Sequence, residues 1–200
     1  MTRPGSSGEQ RAQERFGTSA RAAAFYAPQT LPHLTPQMQQ FIARMDMVFI
    51  ATADGKGACD CSFRAGEPGF VQVRDEKALV YPQYRRNGVR ASLANILENP
   101  HIGLIFPDFY QSTVGLHVNG TARVLNPSET ESLSQLPARI AEAAHIKGGR
   151  HPKAWVLIGV EEAYIHCSKH VPLLKRLDKQ IAWGSDDEQA KGGNFFKVTP

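Results

Sequence analysis

From residue 47 to residue 125 the apolar runs of this chain follow one another with tight turns, not helices, between most of them. A parallel sheet needs a crossover of a dozen or more residues between strands, so runs joined by turns pair antiparallel. The runs are MVFIATAD (47–54), ending at the turn Asp54-Gly55, then ACDCSFRAG (58–66) and GFVQVRDEKALVYP (69–82), with IGLIF (102–106), VGLHVNGTARVL (114–125) and AWVLIGVEEAYIHC (154–167) further on. The 69–82 segment reads as a hairpin joined at Arg74-Asp75-Glu76-Lys77. About six or seven strands with few prolines inside them predict a mainly β fold, a closed or partly split barrel with flanking helices.

Two strands carry more detail. In 58–66 one parity bears Cys59, Cys61 and Phe63, and the other bears Asp60, Ser62 and Arg64, so three polar side chains share a face. In 114–125 the dipeptide Asn119-Gly120 signals a two-residue hairpin. Val114, Leu116, Val118, Ala122 and Val124 nevertheless keep one parity through it, which fits a single kinked strand equally well. Sequence spacing leaves these two readings even.

Three helices are predicted around the strands. Thr35 caps the first, Pro36 suits its first position, and Met38, Phe41, Ile42 and Met45 form its apolar stripe. The second opens at Asn87-Gly88, carries Val89, Leu93, Ile96 and Leu97 at helical spacing, and stops at Asn99-Pro100. The third opens on the capping box SETE (128–131) and runs to about residue 144. Residues 1–30 read as a loose arm, 31–170 as one domain and 171–200 as a polar tail.

A chain of 200 residues has room for one domain with a substantial core. A net charge of +4 is too small for the dense basic face a nucleic-acid binder carries. No apolar run is long enough to span a membrane, and MTRPGSSGEQRAQERFG lacks the apolar centre of a secretory signal, so a cytoplasmic location is expected. Three cysteines, Cys59, Cys61 and Cys167, argue against a disulfide framework, and no second ligand pair completes a metal site.

The segment YPQYRRNGVRASLANILENP (81–100) is where chemistry concentrates. A helix N-terminus at Asn87 offers unpaired N–H groups to an anion, and Arg85 and Arg86 precede it. Arg64 and Ser62 join them if their strand neighbours the Tyr81 strand, while Tyr81-Pro82 offers a flat surface. Together these suit a phosphorylated, ring-bearing ligand. From spacing alone, a solvated Arg-rich turn capping a helix is the commoner outcome. His117, His166 and His170 are the histidines placed to reach a site, and would be the candidate ligands were the chain of the haem-holding kind that some similar split barrels are; no general acid or base is identifiable.

The segments FIATAD, CDCSFRAGEPGFVQV, LVYPQYRRNGVRASLANILENPHIGLIFPDF, LHVNGTARVL and AYIHCSK together resemble the pyridoxamine 5′-phosphate oxidase-like family of FMN-binding split barrels, over roughly residues 33–170. The resemblance implies a six-stranded antiparallel split barrel and a homodimer with FMN in grooves between subunits. It implies that Arg64, Arg86 and Asn87 meet the phosphate, with Arg85 beside them, and that Ser62 lines the same strand. Tyr81, Pro82 and Gln83 then lie against the ribityl chain and the ring edge, and residues 114–125 form the continuous, kinked strand. The implied activity is hydride transfer between flavin and a small substrate or an NAD(P)H donor; the alternative is a flavin, haem or deazaflavin binding protein without turnover. The tail offers Lys175, Arg176 and Trp183 but no recognisable copy of the family's C-terminal Trp/Arg segment, which counts against vitamin-B6 oxidase activity itself.

Overall fold

A computed structural model describes residues 4–84, 89–126, 129, 152–179, 192, 193 and 195–197. The arm contains two helices, α1 (Ser7–Arg15) and α2 (Ser19–Gln29). The Ser6 hydroxyl accepts from Glu9 N at 3.2 Å, and the Glu9 carboxylate accepts from Ser6 N at 2.6 Å, a reciprocal cap that starts α1. Neither helix buries a residue. The arm is instead tied down by Leu31, whose N–H and C=O both bond Ala163, at 3.0 and 2.8 Å. Helix α3 (Pro36–Arg44) begins as expected, with the Thr35 hydroxyl accepting from Met38 N at 3.2 Å and Pro36 following it. Its stripe buries Ile42 completely.

Seven strands follow: β1 (Met47–Ala53), β2 (Cys59–Ala65), β3 (Gln72–Asp75), β4 (Ala78–Gln83), β5 (His101–Pro107), β6 (Gly115–Leu125) and β7 (Ala154–His166). They form one antiparallel sheet in the order β2-β1-β5-β6-β7-β4-β3. The mainly β antiparallel fold with flanking helices is as expected. The strand count is seven rather than six, the extra one being the four-residue edge strand β3. Among the described residues the sheet is not closed, since edge strands β2 and β3 do not pair. Its concave side holds Val48, Ile50, Leu79, Tyr81, Leu104, Phe106, Val118, Val156 and Ile158, each at most 1% exposed. Burying each such aliphatic side chain contributes roughly 1.5–3 kcal/mol. Val80, Leu125 and Trp155 form a second, smaller cluster.

Residues 115–125 are one strand, which settles the even choice for the kinked form. The pairing with β7 shifts between Asn119 and Gly120, because Asn119 faces Glu162 while Gly120 faces Val160, leaving Glu161 as an inserted residue. A β-carbon on Gly120 would lie 2.0 Å from the Gly159 carbonyl oxygen, so only glycine permits this crossing. The insertion also flips the parity of β7. Core-facing positions are Val156, Ile158 and Val160 before it and Ala163 after it. Glu162, Tyr164 and His166 are thereby turned to the outer face.

Helix α4 (Ala91–Glu98) starts later than the Asn87-Gly88 signal. Arg90 takes a left-handed conformation (φ 53°) and breaks the helical run just before Ala91. Val89 therefore precedes the helix and is 71% exposed, and Leu97 is 76% exposed; the buried face is Ser92, Leu93 and Ile96. Asn95 Nδ2 donates to Thr52 Oγ1 at 3.0 Å and Glu98 accepts from Gly55 N at 3.0 Å, so α4 is pinned to β1 and the β1–β2 turn. The helix expected over 128–144 and the three residues Arg85, Arg86 and Asn87 lie outside the described residues, apart from Glu129, whose carboxylate accepts from Asn126 N at 2.8 Å. Among the described residues no helix is long and apolar enough to cross a membrane.

Candidate functional site

The polar face of β2 behaves as its alternation predicts. Cys59, Cys61 and Phe63 are exposed, whereas Arg64 is only 8% exposed. Arg64 reaches α4: its Nη2 donates to Ser92 Oγ at 3.1 Å and its Nη1 to the Phe63 carbonyl at 3.1 Å. Ser92 and Ser62 both donate to Asp60 Oδ2, at 3.0 and 2.9 Å, and their hydroxyls lie 3.0 Å apart. The result is a nook in which a buried guanidinium sits beside the first turn of α4, directly after segment 85–88. An anion there gains from the guanidinium and the helix start and is opposed by the Asp60 carboxylate.

The sheet does not bring the β2 residues and the end of β4 together in the way sequence suggests: strand β2 does not neighbour β4, and four strands lie between them. Ser92 instead joins Arg64 and Ser62 to α4, which packs on β1, β2 and β6. Ser92 was not singled out by sequence reasoning; the only signal for it was its place near the start of a helix. Tyr81 is fully buried in the core, and Pro82 is buried too, so neither ring offers a flat exposed surface in the single chain. Gln83 is 5% exposed, and its Oε1 is buried without a hydrogen-bond partner among the described residues. An unpaired buried amide oxygen costs about 1–3 kcal/mol, which a donor on a ligand would remove.

A second polar group lies on the outer face, where the register aligns Phe63, Phe49, Ile105, His117 and Tyr164 across five strands. His117 Nε2 is 2.9 Å from His166 Nδ1, and the His117 ring stacks on Tyr164 with centroids 4.6 Å apart. Burial, followed by repulsion from His166, holds the His117 pKa below the ordinary histidine value. Sequence reasoning named both histidines but did not pair them, since their partnership depends on the inserted residue in β7. His170 sits in the short 3-10 turn after β7.

The first part of the tail after β7 is anchored to the domain. Arg176 makes an ion pair with Asp46 at 2.6 Å and lies 4.5 Å from the Tyr110 ring centroid, and Leu174 N bonds the Phe109 carbonyl at 2.7 Å. Phe195 and Phe196 are exposed, and Trp183 lies outside the described residues. All three cysteines are free and exposed, and no cluster of metal-ligating side chains exists among the described residues.

The turn-linked sheet, the Ser-x-Arg strand and its contact with α4 can now be set against known proteins. A family model described as pyridoxamine 5′-phosphate oxidase matches residues 34–167, about two thirds of the chain. The chain belongs to this family. Among solved structures it is similar to HupZ of Group A Streptococcus, with 22% identity and a TM-score of 0.47 over 65% of this chain and 91% of that one. It is also similar to a pyridoxamine 5′-phosphate oxidase family protein of Lactobacillus delbrueckii (20% identity, TM-score 0.48, 68% and 98% covered). HutZ, the haem storage protein of Vibrio cholerae, is more distant at 11% identity and a TM-score of 0.42, with 66% and 93% covered. No curated protein matches the chain. The pyridoxamine 5′-phosphate oxidase family match spans β1 to β7 and so includes both polar groups described above.

Proposed function

We propose that this chain binds FMN and acts as an FMN-dependent oxidoreductase. The observation that carries the reading is Arg64, buried on β2 and bonded to Ser92 in the first turn of α4. Arg64 holds the phosphate, with Ser62 and Ser92 beside it; Arg85, Arg86 and Asn87 are the further contacts that the family resemblance implies. Gln83 Oε1, buried and unsatisfied, accepts a hydrogen bond from a ring donor of the cofactor. FMN, when bound, supplies the hydride chemistry toward a small substrate or a nicotinamide donor, while the chain orients it and keeps water from it. The outward row of Phe63, Phe49 and Ile105 is the surface a second copy would cover, since Phe63 is 45% exposed and packs 5.3 Å from Phe49. The functional unit is then a homodimer with FMN in grooves between subunits.

Purified protein with a flavin absorption spectrum that Arg64→Ala abolishes supports this reading. Colourless protein whose thermal transition ignores added FMN overturns it. The His117–His166 pair favours a second reading, a haem-binding module without turnover, because a half-buried imidazole of lowered pKa stays neutral and available to iron. Haem titration of the protein and of His117→Ala separates the two, as does anaerobic reduction by NADPH, which the module would not support.

A further inference from the structure

The arm and the outer face of β7 line an open cavity of about 480 Å³, within the usual range for a small-molecule site. Helices α1 and α2 supply Glu9, Arg21, Phe25 and Tyr26; Thr30 and the outer face of β7, through Glu162 and Tyr164, complete the wall. We propose that this cavity is a binding site for a small organic cation with an aromatic or alkyl body, such as a primary arylalkyl ammonium. The site is separate from the Arg64 nook, and the inference does not rest on FMN binding.

Three independent features point to a cation. The first is aromatic: Phe25 stands edge-on to Tyr164 with centroids 6.2 Å apart, and Tyr26 joins Phe25 at 6.4 Å. The negative face of such a ring holds an ammonium group by cation–π attraction. The second is charge. Two carboxylates, Glu9 and Glu162, face one guanidinium, Arg21, on the lining. The Glu9 carboxyl is held below its ordinary pKa by the Tyr26 hydroxyl, which donates to it at 2.6 Å, so it is ionised at neutral pH. The same bond, with lesser contributions from burial and from Glu162, pushes Tyr26 up to about 12. Burial raises Tyr164 as well, so both rings stay neutral, and Tyr164 has one face left beside the one His117 covers.

The third feature is an unmet hydrogen bond. Thr30 lines the cavity, and its hydroxyl, buried just behind the wall, has no partner among the described residues. Glu162 Oε2 already accepts from Asn119 Nδ2 at 2.9 Å, which fixes that carboxylate in place. An ammonium N–H directed at Thr30 Oγ1 and at the Glu162 carboxylate would satisfy both.

The test uses the full-length protein and three isosteric probes: phenethylamine as the cation, 2-phenylethanol as the neutral body and phenylacetate as the anion. Calorimetric titration should show phenethylamine binding at least tenfold more tightly than the alcohol, with phenylacetate weakest. Amide NMR shifts on adding the amine should centre on Thr30, Glu162 and Tyr164. Glu162→Gln should weaken the amine roughly tenfold and leave the alcohol unchanged. If that variant does not fold, Thr30→Val, nearly isosteric, should weaken the amine severalfold. Equal binding of amine and alcohol, shifts centred elsewhere, or a Thr30→Val variant with undiminished amine affinity would each overturn the proposal.

Discussion

The Arg64 nook and the arm cavity lie on one sheet and differ in almost every physical respect. The nook is built from a regular strand and a helix, and Asp60, Ser62, Ser92 and Arg64 bond one another in a continuous set. The cavity is built from the part of β7 that follows its inserted residue and an arm whose helices bury nothing of their own, and among the described residues the Thr30 hydroxyl beside it has no partner. One is centred on a buried cation and the other is edged by carboxylates. A single open sheet can therefore carry sites of opposite charge, because its two regions place polar groups by different devices: strand alternation in one, a break in alternation in the other.

The largest effect expected is on the device itself. In Gly120→Ala the new methyl meets the Gly159 carbonyl at 2.0 Å, and backbone cannot swing aside as a side chain would. We expect a loss of about 3 kcal/mol, read as a drop of roughly 6–12 °C in the thermal transition. If the protein tolerates alanine there without loss, the inserted residue does not govern β7 and the contrast between the regions fails.

The second effect belongs to the nook. Arg64→Ala removes the buried guanidinium and should lower FMN affinity about thirtyfold or more, the value of one or two hydrogen bonds to a charged group. Arg64→Lys should recover only part of it, because an ammonium lacks the fork geometry. Flavin fluorescence on titration measures both. A wild-type affinity in Arg64→Ala would make the nook a structural brace for α4 and nothing more.

These two regions were not equally legible in the sequence. The parity of Asp60, Ser62 and Arg64 reads directly from a period of two, and the Thr35-Pro36 start reads from cap chemistry. Ser92 escaped because the helix begins after Arg90, whose left-handed backbone has no signature in a non-glycine residue. Tyr81 reads as a surface ring at a strand end, yet it shares the parity of Leu79 on β4 and lies with it in the core. The His117–His166 pair and the cavity wall depend on where one extra residue enters β7, and Gly120 marks that place without saying which strand bulges. Local rules reach as far as a single element; register between distant elements lies beyond them.

A smaller, pH-dependent effect tests the outer face. His117 has its pKa lowered in the folded chain by burial and then by His166, so the unfolded chain binds more protons below pH 6.5. Its contribution is complete above that value and is lost as the pH falls through it toward the lower folded pKa. The thermal transition should therefore fall with acidification below about pH 6.5, and His117→Gln should flatten that fall. A profile unchanged by the substitution would mean that His117 does not set the acid side of the stability curve.

The smallest effect discriminates most sharply between the two regions. Asp60→Asn keeps the shape of the nook, because both serines donate to the same oxygen, Oδ2, and an asparagine carbonyl can occupy that place. What the substitution removes is a negative charge beside the intended phosphate. If the nook holds an anion, FMN affinity should rise a few-fold with stability nearly unchanged, since the repulsion is partly screened at this half-buried position. If the nook only braces α4, affinity should not rise. The matching substitution in the cavity, Glu162→Gln, is expected to act in the opposite direction on an ammonium probe. Removing one carboxylate from each region thus strengthens ligand binding in one and weakens it in the other, an outcome that a general change in fold stability would not produce.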